Sequence, residues 1–408
     1  MNISSLIASV NAPSGLWQNL INWIQGSVGN LGWTILLLTL FVKVVTSPLD
    51  FLVKFTTKQQ TLIQQKCAPQ VSKLKKKFGN DRQRLQIQTN AIYKKEGLKM
   101  GVGCIVQLVN LILTCVIFFS FFSALRTTSA YNAIHQYEII NQTFDDASVE
   151  SIKTSTGLST QTEVETYVSE YETAYNYVNN PNNSAESDEY KQHNELVKAR
   201  EAIINKAYDD AVKASQNKWH ETKSSWLWVE NIWVADATTS VFPDYDSLKS
   251  MSKNAGEYYK DYFENNVVET EYTFVTSIIR QDSRKYNGYY ILAVLAGLIT
   301  FASQYISELH TKLKNKNANK LAKSTNDAAG ASTLKIMKII MPIMMIMFVL
   351  TSTASFGIYI LASNLASIIM GELIALIVNA LTKKKRLEVE AELEKEANRL
   401  IKKGKLQE

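Results

Sequence analysis

A lysine inside a long apolar run has the most unusual chemistry in this sequence. Lys43 lies in the apolar run 31–53, eleven residues before Lys54. If the run is a helix rising about 1.5 Å per residue, Lys43 is roughly 16 Å deep in a membrane. A charge at that depth costs several kcal/mol unless it faces protein or water. A lysine that snorkels to the surface is the alternative, but snorkelling recovers only part of that depth. We therefore expect Lys43, with Thr46 one turn on, to line a polar cavity.

Three further apolar runs carry polar side chains at helical spacing, so that the members of each set share a helix face. They are Gln107, Asn110 and Thr114 in one run, Thr300 and Gln304 in another, and Ser363, Asn364 and Ser367 in a third. Polar residues in lipid often only join neighbouring helices, which would explain any one set. Three sets together with a buried cation favour one shared, hydrated cavity.

The sequence contains no catalytic or metal-binding motif. Its four histidines are scattered, and no HExxH, GxSxG or P-loop spacing occurs. The three cysteines, Cys67, Cys104 and Cys115, do not combine with histidine at metal-ligand spacing, and none lies in the long polar stretch where a disulfide would be useful. We expect no enzyme activity, no cofactor and no metal.

Five apolar runs of membrane-spanning length would position the polar residues, since a crossing helix needs roughly 20 mainly apolar residues. The predicted spans are 31–53, 101–125, 287–307, 336–353 and 354–381. Mean hydropathy is only -0.11 because a polar stretch, 126–286, averages with them. We predict an all-α integral membrane protein with five transmembrane helices and a large, mostly helical insertion.

Local charge predicts the orientation, because cytoplasmic loops are rich in Lys and Arg. Residues 54–99 hold twelve Lys and Arg against two acidic residues, whereas 126–286 hold fifteen against twenty-six. The 308–335 loop and the 382–408 tail are also basic. We expect the N-terminus and the insertion outside, and the 54–100 segment, the loop and the tail in the cytoplasm.

The 54–100 segment reads as a basic helical hairpin with two amphipathic arms. Gly79 is expected to end the first arm with a positive φ, and Asp81 to cap the second. Pro69 should bend or interrupt the first arm. Basic helices bind phosphate backbones, so this hairpin and the tail are predicted to contact the ribosome. The tail's five glutamates from Glu388 to Glu396 make an ordinary charged helix the alternative for that part.

Two segments on the outer side leave alternatives open. Residues 1–30 contain apolar residues near helical spacing, which indicates an amphipathic helix at the membrane interface, with a disordered leader as the alternative. In the insertion, residues 189–218 have a helical pattern. The tryptophans Trp226, Trp228 and Trp233 indicate either an interfacial belt or a small soluble core.

Glu372 is a second ionisable residue inside a predicted span. It lies eleven residues before Lys383, at the depth estimated for Lys43, so a Lys43–Glu372 charge pair is a hypothesis. Its position about 80° from Asn364 around the helix also allows it to face elsewhere.

Several of these features together resemble the YidC/Oxa/Alb family of membrane protein insertases. They are Lys43 followed by Pro48, Glu96-Gly97 ahead of Gly103-Cys104, the run 292–300 through Gln304, Met337-Lys338 with 341–344, and Gly357, Tyr359 and Ser363-Asn364. The resemblance implies a groove open to cytoplasm and lipid but closed to the outside, from which a client helix exits between the third and fifth spans. Lys43 stands where the family has Arg, which keeps the charge but loses the planar five-donor fork.

The resemblance also implies a bacterial plasma-membrane location, with nascent membrane proteins and lipids as partners and the Sec translocon as a candidate partner. A secondary transporter is the alternative function, because buried charge and polar stripes also mark solute paths. A membrane scaffold is a third alternative, although it would not need a lysine at mid-depth.

Overall fold

The computed structural model describes residues 9–98, 100–238, 240–282, 286–315 and 331–402, and these form helices without β-strands. In chain order the helices are α1 Leu16–Val28, α2 Leu31–Phe78, α3 Arg82–Lys95, α4 Met100–Thr156, α5 Gln161–Val178, α6 Asp188–Thr222, α7 Tyr245–Ala255, α8 Glu257–Asn266, α9 Glu269–Asp282, α10 Ile291–Asn315, α11 Ala331–Leu350, α12 Ala354–Leu381 and α13 Lys383–Lys402. The predicted all-α class is confirmed.

The described chain divides into two compact units. The insertion unit comprises residues 1–19, 123–289 and 353–355, and the apolar-helix unit comprises residues 20–122, 290–352 and 356–408. The predicted 126–286 module lies within the insertion unit. Helix α4 runs from the apolar-helix unit into the insertion unit.

Three helices are long and apolar enough to cross a membrane: Leu31–Phe78, Gly101–Thr156 and Ala354–Leu381. Two shorter apolar helices, Ile291–Ile306 and Ile339–Leu350, occupy the other two predicted spans. The five-span count therefore stays a prediction. Helix α10 begins at Ile291, four residues later than the start predicted for the third span, because residues up to Tyr289 are part of the insertion unit.

The basic hairpin forms from the second half of α2 and from α3. Asp81 caps α3 as expected, since its carboxylate accepts from the backbone N–H of Arg84 at 3.0 Å. One expectation was wrong, because Gly79 keeps a helical φ of -56°. Pro69 does not interrupt α2, which continues to Phe78, so the bend at Pro69 stays a prediction. The two arms pack against each other through an apolar core that includes Ile63 and Cys67.

The core of the insertion unit combines aromatic and aliphatic side chains from α4, α6 and the segments that follow. Tyr137, Phe242, Phe263 and Tyr272 are almost fully buried, and the rings of Tyr137 and Tyr272 lie 4.8 Å apart. The predicted helix over 189–218 lies within α6. Burial of large rings supplies most of the driving force for folding in water, so this unit has the core of a soluble domain.

The tryptophan segment belongs to that core more than to a membrane belt. Trp226 and Trp233 are buried, while Leu227 between two tryptophans is 61% exposed. Asn287 holds the segment in place, because its side-chain oxygen accepts from the backbone N–H of Asn231 at 2.7 Å and its amide donates to the Asn231 carbonyl at 2.7 Å. The soluble-core alternative is thus the one that the burial favours.

The N-terminal segment is held against the insertion unit at Val10 and then forms a helix. Val10 is buried in the core of the insertion unit, and its backbone N–H donates to the Glu138 carboxylate at 3.1 Å. In α1, Ile21 is buried while Leu16 and Trp23 are at least 70% exposed. The predicted amphipathic helix is present over 16–28, and the described residues do not fit a disordered leader.

Candidate functional site

Lys43 lies on a protein-facing side of α2. Its side chain is half-buried, whereas Phe41, Val44 and Val45 beside it are more than half exposed. A helix in lipid turns apolar side chains outward, so this pattern directs Lys43 toward the other helices. The Thr46 hydroxyl donates to the Lys43 carbonyl oxygen at 3.2 Å. Because its one proton is used there, this hydroxyl can only accept a hydrogen bond from another group.

The predicted polar sets on α10 and α12 meet directly. The Asn364 side-chain amide donates to the Thr300 hydroxyl at 2.9 Å, and that hydroxyl donates to the Ala296 carbonyl at 2.7 Å. Thr300 is almost fully buried. Within α12, the Ser367 hydroxyl donates to the Ser363 carbonyl at 2.6 Å. A polar contact between these two helices is therefore part of the structure, while Gln304 is half-buried on the same helix as Thr300.

The predicted polar set on α4 contacts α2. The Gln107 side-chain amide lies 3.4 Å from the Thr57 hydroxyl, to which it donates. One turn earlier, Gly103 packs so closely on α2 that an added Cβ would lie 2.0 Å from the side-chain nitrogen of Gln60. Asn110 is half-buried and Thr114 is exposed. The three predicted sets thus form two separate contacts in the described chain, α10 with α12 and α4 with α2.

Lys54 makes a contact that the sequence analysis missed. Its amino group donates to the Gly371 carbonyl oxygen on α12 at 2.6 Å. A Cβ at Gly371 would lie 3.1 Å from the same nitrogen, so the glycine permits the approach. The signal was available, because Lys43 and Lys54 are eleven residues apart and therefore within about 20° on one helix face.

The contact bears on the hypothesis about Glu372. Residue 371 is at the level of Lys54, which is about 16 Å along α2 from Lys43. Asn364 lies seven residues before Gly371, within about 20° on the same face of α12. The polar face of α12 is therefore directed toward both Thr300 and Lys54. The Lys43–Glu372 pair stays a prediction, and Lys54 is the lysine that the structure places nearer to Glu372.

An aromatic cluster lies nearer the start of α12 than the polar contacts do. The rings of Phe122 and Phe356 are 4.6 Å apart, and those of Phe121 and Tyr359 are 4.8 Å apart. Gly357 lets α12 approach α11 closely there, since an added Cβ would lie 3.1 Å from a Val349 methyl carbon. The apolar-helix unit thus has packed aromatic rings near the start of α12 and polar contacts further along the same helix.

The chain is similar to known proteins over part of its length. The sequence profile described as 60Kd inner membrane protein matches residues 23–171. The protein named membrane protein insertase YidC from Jannaschia sp. (strain CCS1) is 34% identical over 109 residues, which are 27% of this chain and 16% of that protein. A protein of the same name from Wolinella succinogenes is 35% identical over 115 residues, 28% of this chain and 19% of the relative.

The aligned stretch therefore spans less than a fifth of the length of these relatives. No solved structure matches the chain significantly. The resemblance to the YidC/Oxa/Alb insertases is confirmed over the matched region, and together with the apolar helices it indicates a bacterial membrane protein.

Proposed function

We propose that this chain is a membrane protein insertase, in which the polar interior of the apolar-helix unit shelters the polar part of a client while its apolar helix moves into lipid. One observation carries the proposal. Polar contacts at Thr300–Asn364 and Lys54–Gly371 lie on one face of α12, and aromatic rings pack around Phe356 nearer the start of the same helix. The names of the relatives agree with this function.

The mechanism is electrostatic and needs no cofactor. Lys43 lies eleven residues from Lys54 on nearly the same helix face, so both amino groups are directed to the side of α2 that meets α12. In a protein-walled cavity a charge is weakly screened, so Lys43 attracts acidic or polar parts of a client. The client's apolar helix is then released to lipid between the third and fifth spans.

The orientation and partners follow from the charge pattern. We place the N-terminus and the insertion unit outside and the basic hairpin and the tail in the cytoplasm, where nascent chains emerge. The hairpin contacts the ribosome through its exposed lysines, and the Sec translocon is a candidate partner. The insertion unit is an accessory domain, and the apolar-helix unit carries the insertase function.

Reconstitution tests the function. Purified full-length protein in liposomes should insert a single-span client, measured by protection of the inserted segment from protease, without flux of trapped solute. Empty liposomes are the control. Solute flux without insertion would support the secondary transporter, an alternative that finds no support in the comparisons, and would refute the insertase.

A further inference from the structure

The tail helix α13 packs against the basic arm of α2 through charged pairs. The Lys73 amino group lies 2.8 Å from a Glu396 carboxylate oxygen, and the Lys66 amino group lies 3.5 Å from Glu392. Lys66 also lies 2.9 Å from Glu96 at the end of α3. Glu392 and Glu396 of α13 therefore each pair with a lysine of the most basic segment in the chain.

The charged pairs follow a regular stripe on α2. Lys66 and Lys73 are seven residues apart, and Lys77 follows four residues later, so the three amino groups lie within about 40° on one face. Pro69 lies between the first two on this face and is buried. A neighbouring apolar stripe, which begins with Ile63 about 60° around the helix from Lys66, packs on α3 in the hairpin core. Lys66 and Lys73 of the lysine stripe are therefore on the side of α2 that contacts α13.

The face of α13 that contacts α2 also combines buried apolar residues with charged residues. Val389 and Leu393 are buried, and Glu392 and Glu396 lie within about 60° of Val389 around the helix. The apolar pair holds the helix in place, and the carboxylates reach the lysines. The charged atoms keep access to solvent, since the Lys73 side chain is 65% exposed and that of Glu392 is 55% exposed. A pair that water reaches contributes little to stability and is easily exchanged.

We propose that Glu392 and Glu396 are internal phosphate mimics, which pair with Lys66 and Lys73 of the lysine stripe until an RNA phosphate backbone replaces them. This deepens the ribosome contact proposed above and rests on it for its biological role. RNA fits better than lipid headgroups because Lys73 lies nineteen residues beyond Lys54, about 28 Å further along the helix and away from the apolar run. Lysines that bind phosphates release counterions, so each newly available lysine steepens the salt dependence of binding.

The test uses the full-length protein in detergent and a labelled double-stranded RNA oligonucleotide. The variant Glu392→Gln with Glu396→Gln removes the competing charges and keeps the apolar contacts. We expect it to bind RNA about three- to tenfold more tightly at low salt, with a slope of log affinity against log salt steeper by about 1 to 2. Adding Lys66→Gln and Lys73→Gln to this variant should abolish the gain.

The matched control is Glu390→Gln with Glu394→Gln, which has the same spacing and the same charge change but lies about 120–160° away on α13. Its RNA affinity should rise by less than about twofold, as a net-charge effect alone would require. Equal gains in both variants, or none in the first, would overturn the proposal. A gain confined to vesicles of anionic lipid would overturn the assignment to RNA. These binding measurements do not depend on client insertion, so they fail independently of the insertase assay.

Discussion

The two units use polar and apolar side chains in opposite ways. In the insertion unit large rings such as Tyr272 are buried, and a buried Asn287 ties loops together. In the apolar-helix unit, Ile105, Phe119 and Ile339 are more than 60% exposed, while Thr300 is buried. Burial of apolar surface drives folding in water, whereas lipid gives no such gain and helices associate through packing and polar contacts.

The contrast indicates different costs for polar substitutions. In the insertion unit a lost buried hydrogen bond leaves backbone groups without water, so stability should fall. In the apolar-helix unit single polar contacts contribute little to stability, so function should be more sensitive than folding. The following changes test that difference, from the largest expected effect to the smallest.

Reversing the charge of Lys43 should abolish activity. We expect Lys43→Glu to lower client insertion at least tenfold, because the cavity would repel acidic client segments, whereas Lys43→Arg keeps the charge and the activity. Insertion into proteoliposomes is the measurement. Lys75→Glu, on the exposed part of the basic arm, controls for net charge. Full activity of Lys43→Glu would remove this lysine from the mechanism.

Removing the Asn287 side chain should destabilise the insertion unit. Asn287→Ala leaves the Asn231 backbone N–H and carbonyl without their partners, so we expect a loss of about 3 kcal/mol in unfolding free energy. Thermal unfolding followed by tryptophan fluorescence measures it. Asn265→Ala, an exposed asparagine on α8, should change stability by less than about 0.5 kcal/mol. Comparable effects of both changes would contradict the role given to Asn287.

Asp145 should make the insertion unit sensitive to pH. It lies about 30 Å along α4 from the end of the apolar run. Burial, with the charges of Glu271 and Asp146, raises the pKa of Asp145 to about 7 from an ordinary value of 3.8. The folded state therefore binds a proton more tightly, so stability is full below about pH 4 and falls as pH rises through 7.

The corresponding variant is Asp145→Asn. It should stabilise the insertion unit at pH 8 by roughly 2–4 kcal/mol, allowing for partial exposure of the carboxyl, and should have little effect at pH 4. Unfolding curves at several pH values provide the comparison with the parent protein. A variant with an unchanged pH profile would show that Asp145 does not titrate in this range.

Charge swaps sharpen the account of Glu372. Because Lys54 contacts Gly371, the double variant Lys54→Glu with Glu372→Lys should give at least threefold more client insertion than Lys54→Glu alone. Lys43→Glu with Glu372→Lys should be no better than Lys43→Glu, since Lys43 lies about 16 Å along α2 from Lys54. Rescue in the second swap and not the first would reinstate the Lys43–Glu372 pair.

The polar contact between α10 and α12 should have the smallest effect on stability. A double-mutant cycle with Thr300→Val and Asn364→Ala should give a coupling of about 0.6–1 kcal/mol, typical of hydrogen bonds between membrane helices. Unfolding in mixed detergent measures it. A coupling above about 3 kcal/mol would place this contact with the stabilising network of the insertion unit and contradict the contrast drawn above.

The sequence by itself determined the features that depend on local composition. Helix α12 has the bounds predicted for the fifth span, Asp81 caps α3, and the exceptional position of Lys43 follows from the apolar residues around it. Periodicity also put Thr300 and Asn364 each on a helix face. These properties depend on residues a few positions apart, which pattern and propensity describe.

Tertiary structure decided which faces meet. Periodicity within one helix does not specify its neighbour, so the sequence did not predict that Lys54 reaches Gly371, that Gln107 turns to Thr57, or that Glu396 reaches Lys73. The sequence also did not predict the helical φ of -56° at Gly79. The tryptophan segment was equally undecided, because rings suit a membrane interface and a core alike, and only the hydrogen bonds to Asn287 and the surrounding helices bury it.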